Sequence, residues 1–166
     1  QSAIDIYPGY DKAYGAMGDI YIGIKNFEKA KQVLNMSITV NPNYARGYAN
    51  LGIIHSDEEN WDNAVSSLEM AVALNEKDSM SFFRLASAQN FKGDCQSAKD
   101  AARKSADLKS RFGGAWYELG IAEWCGGRGN KAGALNAFER ARNDRDWRKM
   151  AEYEIDKVKN PQKYEK

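Results

Sequence analysis

The stretch Tyr48-Ala49-Asn50-Leu51-Gly52-Ile53-Ile54-His55 sets an aromatic ring, then Leu three positions on, then Gly one position after that. The same set returns at a fixed interval of 34 residues: Tyr14 with Met17-Gly18 and Tyr21, Phe82 with Leu85-Ala86, and Trp116 with Leu119-Gly120. Self-similarity at such a period marks an array of supersecondary units, each too small to bury its apolar face alone and therefore stacked on its neighbours.

Working outward from Tyr48, each unit reads as a helical hairpin. The front half of the first unit, 11–44, carries Tyr14, Met17, Gly18, Ile20, Tyr21 and Ile24 in a helical stripe, and Lys25-Asn26 forms a turn. Its back half carries Phe27, Ala30, Leu34, Ser37, Ile38 and Val40 and stops at Asn41-Pro42-Asn43, where proline ends the helix and Asn supplies the next N-cap. The second unit, 45–78, and the third, 79–112, repeat the plan, with Asp78 and Asp94 as helix starts. In the fourth, 113–146, the back half with Ala134, Phe138 and Ala141 runs two residues late, and the extra residues fall in the Gly126-Gly127-Arg128-Gly129-Asn130 loop. Residues 147–166 read as a capping helix and tail, with Trp147, Met150, Ala151, Ile155 and Val158 on one face. Residues 1–10 align with the end of a preceding unit, which makes them the close of a truncated repeat. The fold class is all-α.

Twenty-four basic and 23 acidic residues leave a net charge of +1, so no global field selects nucleic acid or an anionic membrane. No apolar run approaches the roughly 18 residues of a spanning helix. The reading is a soluble chain with no direct membrane insertion and no nucleic-acid partner, placed in the cytoplasm in preference to the periplasm. Catalysis is not expected. The one histidine, His55, stands where Tyr21 stands in the first unit and reads as a packing residue. Gly126 to Lys131 lacks the spacing of a phosphate loop, and neither cofactor nor metal site is indicated. Cys95 opens the second helix of the third unit and Cys125 ends the first helix of the fourth. A disulfide is compatible with that placement, but two buried thiols acting as small hydrophobes are the preferred reading.

The motif Tyr14-x2-Met17-Gly18-x2-Tyr21, Ala30-x3-Leu34, Pro42, repeated in part at Tyr48-x2-Leu51-Gly52 and Ala64-x3-Leu68, resembles the tetratricopeptide repeat. That resemblance implies a right-handed α-solenoid of about four stacked antiparallel hairpins plus the C-terminal cap, and a non-catalytic scaffold that binds a peptide or helix segment of a protein partner in a concave groove. The first helices of successive units line that groove in the family, which places Asn50 and Ile53 of the second unit there. Phe83, Arg84, Asn90 and Phe91 of the third follow, with Tyr117, Glu118, Ile121 and Trp124 of the fourth. From these, Phe83, Tyr117, Ile121 and Trp124, with Ile53, form the expected apolar patch, while Asn50, Arg84 and Asn90 supply hydrogen bonds at its edge. The carboxylate clamp that some members use for chaperone tails is matched only at Asn50 and Arg84. Gly15, Asp19 and Met80 fill its other positions, and Asp19 would repel a carboxylate. Two further readings are self-association as a structural scaffold and a pilotin-like role in bacterial envelope or pilus assembly.

Overall fold

The structure, a computed structural model, describes residues 11–164; the expected repeat end at 1–10 lies outside them. The chain divides into two compact units, Gln1–Glu76 and Lys77–Lys166. The described residues form helices, short 3-10 turns and loops, with no strand among them. No helix among them is long and apolar enough to cross a membrane.

The first unit holds two hairpins, α1 (Asp11–Gly23) with α2 (Phe27–Val40) and α3 (Ala45–Asp57) with α4 (Trp61–Leu74). The side chains of Asn26 and Asn60 cap α2 and α4, accepting from the amides of Lys29 and Asn63. Each hairpin closes where glycine meets leucine: a Cβ on Gly18 would lie 2.5 Å from Leu34 Cδ2, and one on Gly52 would lie 2.5 Å from Leu68 Cγ. Ala30, Leu34, Leu51 and Ile54 form the core, with Tyr21, Ile22, Phe27 and Ile38 packed around it. Ser37 Oγ donates to the Asp11 carbonyl at 2.7 Å and ties the last turn of α2 to the first of α1.

Two expectations change here. Of the α1 stripe, Met17, Ile20 and Ile24 are exposed, because the side of α1 that faces α2 carries Gly18, Tyr21 and Ile22 instead. Asn43 does not cap α3. Tyr44 takes the N-cap position without a side-chain hydrogen bond, and its ring lies over Gly15.

The second unit contains α5 (Ser79–Lys92), α6 (Cys95–Leu108), α7 (Gly113–Trp124), α8 (Lys131–Ala141) and α9 (Arg148–Lys159). Asp78, Asp94 and Asn130 cap α5, α6 and α8. The contact between α5 and α6 is made by small residues, with Ala86, Ala98 and Ala102 fully buried, whereas α7 and α8 meet through Gly120 against the Phe138 ring. The 3-10 turn Cys125–Gly127 takes up the two-residue insertion, with Gly126 and Gly127 at φ 64° and 89°. Helix α9 seals the unit: Ala151, Ile155 and Val158 join Ala134, Phe138 and Ala141 in one core cluster, while Met150, expected on that face, is exposed.

Replacing Gly52 by Leu is expected to destabilise the first unit by about 2 kcal/mol or more, since the new side chain meets Leu68 in a filled core. A urea titration followed by circular dichroism checks this. The Gly23→Leu control, where an added Cβ meets nothing, should leave the transition nearly unchanged.

Candidate functional site

In the second unit α5 and α7 pack against each other and present positions near 34 residues apart side by side. Asn90 and Phe91 come from the last turn of α5, and Tyr117, Glu118 and Ile121 from successive turns of α7. Together these five line a cavity of about 250 Å³. A second cavity of about 380 Å³ shares Asn90 and Ile121 with it and continues past Gly93, Cys95, Cys125, Gly126 and Arg128. The first is mostly apolar, and the second has the cation of Arg128 in its lining.

Glu118 lines the first cavity and is only 7% exposed. Asn90 Nδ2 donates to Glu118 Oε2 at 2.8 Å and to its backbone carbonyl at 3.0 Å, and the Ser87 hydroxyl supplies a further hydrogen bond to the carboxylate. Burial pushes the carboxyl above the usual carboxylate range, against those two hydrogen bonds. No ion pair reaches Glu118 among the described residues. Burial also raises the Tyr117 phenol to about 12, reinforced by the nearby carboxylates of Glu154 and Glu118.

The aromatic residues of the expected patch are joined through the cap. Phe83 meets Phe112 at 5.0 Å and Trp147 at 5.6 Å, both edge to face, and Tyr117 lies 5.2 Å from Trp147 and 5.7 Å from Phe138. Phe83 and Tyr117 therefore each give part of their surface to this cluster and stay half-buried. Trp124 packs on the terminal core cluster and lines neither cavity. Arg84 is half-buried; burial lowers its pKa, and Asp78 opposes this.

Asn50 and Ile53 belong to the first unit. There Asn50 is buried and donates to Asp19 Oδ1 at 2.6 Å, while Arg46 pairs with the other oxygen of Asp19. The Asn50 amide is thus already engaged by Asp19. His55 is half-buried, with Nδ1 3.7 Å from Glu58 and desolvation lowering its pKa, in keeping with a packing role.

Cys95 and Cys125 form a disulfide, with Cα atoms 5.7 Å apart, which overturns the reading of two free thiols. The reason is local: Cys125 ends α7 in the left-handed conformation (φ 42°), and the chain turns there beside the start of α6. The insertion that shifts α8 also makes this turn. The residues that line the second cavity, Cys95, Cys125, Gly126 and Arg128, carry no repeat signature that points to a site. Among the described residues, no group of His, Cys, Asp and Glu could hold a metal ion.

Two outcomes follow from this geometry. Unreduced protein should show no free thiol under denaturing conditions, and reduction should lower the denaturant midpoint, the loop between residues 95 and 125 setting an upper scale of about 3–4 kcal/mol. Glu118 binds its proton more readily folded than unfolded, so its presence costs stability increasingly as pH rises from the ordinary carboxylate range through its raised folded pKa. Glu118→Gln is accordingly expected to raise the melting temperature relative to wild type at neutral pH and to lose most of that advantage near about pH 4. Melts at both pH values check it.

Residues 11–44 match the family model for the tetratricopeptide repeat. No curated protein sequence matches the chain. Among solved structures, it is similar to YrrB, described as a TPR protein with an unusual peptide-binding site, at 20% identity and a TM-score of 0.75 over 86% of this chain and 73% of that one. It is similar to PilF of Pseudomonas aeruginosa at 17% identity and a TM-score of 0.78 over 93% and 69%. The first TPR of Spaghetti (RPAP3), bound to the HSP90 peptide SRMEEVD, gives 17% identity and a TM-score of 0.67 over 70% and 92%. Residues 11–44 are a tetratricopeptide repeat, and the chain has the fold of the tetratricopeptide-repeat proteins.

Proposed function

We propose that this protein is a non-catalytic scaffold that holds a polypeptide segment of a partner on the α5/α7 surface of its second unit. One observation carries the reading: Asn90, Phe91, Tyr117, Glu118 and Ile121, all on first helices of their hairpins, converge on one mostly apolar cavity that a second cavity extends. Side chains of an extended or helical segment would bury apolar surface there, a large one contributing about 2 kcal/mol. Phe83 and Tyr117 take part through the ring surface that Trp147 leaves uncovered, and Arg84 offers donors at the margin. Within the first unit, Ile53 is the freer of the two expected contact residues, because Asn50 is held by Asp19. That YrrB is described with a peptide-binding site and RPAP3 is bound to a peptide supports a binding role on this fold. Recognition of a chaperone-tail carboxylate is disfavoured, since Asp19 occupies a clamp position.

The disulfide adds a second element. Disulfides persist in oxidising compartments, so Cys95–Cys125 favours a location outside the cytoplasm and, with it, the envelope reading over a cytoplasmic one.

Capture from native lysate tests the binding role. Phe91→Ala combined with Ile121→Ala is expected to lose the captured partner while retaining the wild-type helical spectrum; equal capture by both proteins would sink the proposal. Monomeric mass at high concentration would separately count against self-assembly.

A further inference from the structure

We propose that the cavity between α5 and α7 is a subsite for one basic side chain, lysine or arginine, of the bound segment, with Glu118 as its counter-charge and Phe91, Tyr117 and Ile121 packing its aliphatic stem. This rests on the groove-binding reading and assigns the chemistry of its occupant.

The inference starts from a difference among buried acids. The second unit buries three glutamates to a similar degree, Glu118 at 7% exposure and Glu123 and Glu154 at 6% each. Glu123 is neutralised by Lys99 at 3.2 Å and Arg103 at 2.9 Å, and Glu154 has Lys157 at 3.4 Å. Glu118 has no cation among the described residues, only the neutral donors of Asn90 and Ser87. A buried carboxylate is costly unless a positive charge accompanies it. Glu118 also lines an open cavity that a ligand can enter.

The walls suit a long cationic side chain. Phe91, 67% exposed, and Tyr117 offer aromatic surface and Ile121 an aliphatic one, which favours a methylene stem ending in an ammonium or guanidinium group. The volume of about 250 Å³ is below the span of drug-sized pockets, about 300–1,000 Å³, and fits a single side chain. Asn90 fixes the carboxylate in place before any ligand arrives, so little ordering remains to oppose binding. An acidic side chain would meet repulsion from Glu118, and a purely apolar one would bury the carboxylate further without compensation. The raised pKa of Glu118 is the expected signature of a desolvated carboxylate awaiting a counter-charge.

The test uses the whole chain and a random-peptide display library. Selection on wild type, with Phe91→Ala as the groove-deficient control, should enrich segments carrying one Lys or Arg among apolar residues. In a selected peptide, replacing that residue by norleucine should weaken binding to wild type by about tenfold or more and should weaken binding to Glu118→Gln far less. A structural role for Glu118 alone would not produce this coupling. Enrichment of segments without a basic residue, or equal losses on both proteins, would overturn the subsite and leave the groove reading standing. No enrichment that depends on Phe91, or occupation of the surface by a second copy seen as a concentration-dependent mass, would overturn both.

Discussion

The close approach of paired helices at one position per hairpin is the constraint on which the rest of the structure depends. Gly18 against Leu34 and Gly52 against Leu68 leave no room for even a methyl group on the first helix, and Gly120 lies against the Phe138 ring in the same way. Where the third hairpin substitutes Ala86 for glycine, its partner shrinks to Ala102, and the methyl gained on the first helix is accommodated by the side-chain carbons lost on the second. Because this contact fixes how the two helices of a hairpin meet, it also fixes which faces of the first helices point away from the second. The candidate binding surface is what remains of α5 and α7 after their Gly and Ala positions have been committed to packing.

The fourth hairpin departs from the plan, and the departures support one another. The two-residue insertion moves Asn130 to the cap of α8 and leaves a turn at Cys125 that only a left-handed conformation and two positive-φ glycines can follow. That turn brings Cys125 to Cys95, and the disulfide holds the end of α7 to the start of α6 at the rim of the second cavity. At the other end of α7, Trp147 just before α9 gathers Phe83, Phe112 and Tyr117 into a ring cluster. Helix α7 is thus fixed at both ends by contacts outside the repeat pattern, and the side chains it presents to the groove are held on a rigid element.

Burial of Glu118 carries a cost in stability. A carboxylate with two neutral hydrogen-bond donors and no cation among the described residues weakens the free protein, and an apolar residue of similar size would remove that cost. In the proposed subsite the same carboxylate would supply a preference that apolar contact alone cannot, since hydrophobic burial is non-directional and discriminates weakly between partners.

By itself the sequence determined the hairpin plan. The 34-residue interval, the glycines at Gly18, Gly52 and Gly120, the caps at Asp78 and Asp94 and the late start of the fourth back half are all local or periodic signals, and periodicity survives without knowledge of tertiary contacts. Helical spacing likewise placed Asn90, Tyr117 and Ile121 on first helices, and in the structure these three line one cavity. Tertiary structure decided what the period cannot encode. It paired Cys95 with Cys125 through a single backbone turn, put the Tyr44 ring over Gly15 where an Asn cap was expected, drew Phe83 and Tyr117 toward Trp147, and left Ile20 and Ile24 exposed. It also distinguished Glu118 from Glu123 and Glu154, three acids alike in sequence, by which cations lie within reach of each. A repeat specifies the contacts that every unit makes; the charge, ring and sulfur contacts made only once depend on distances that arise when the chain has folded.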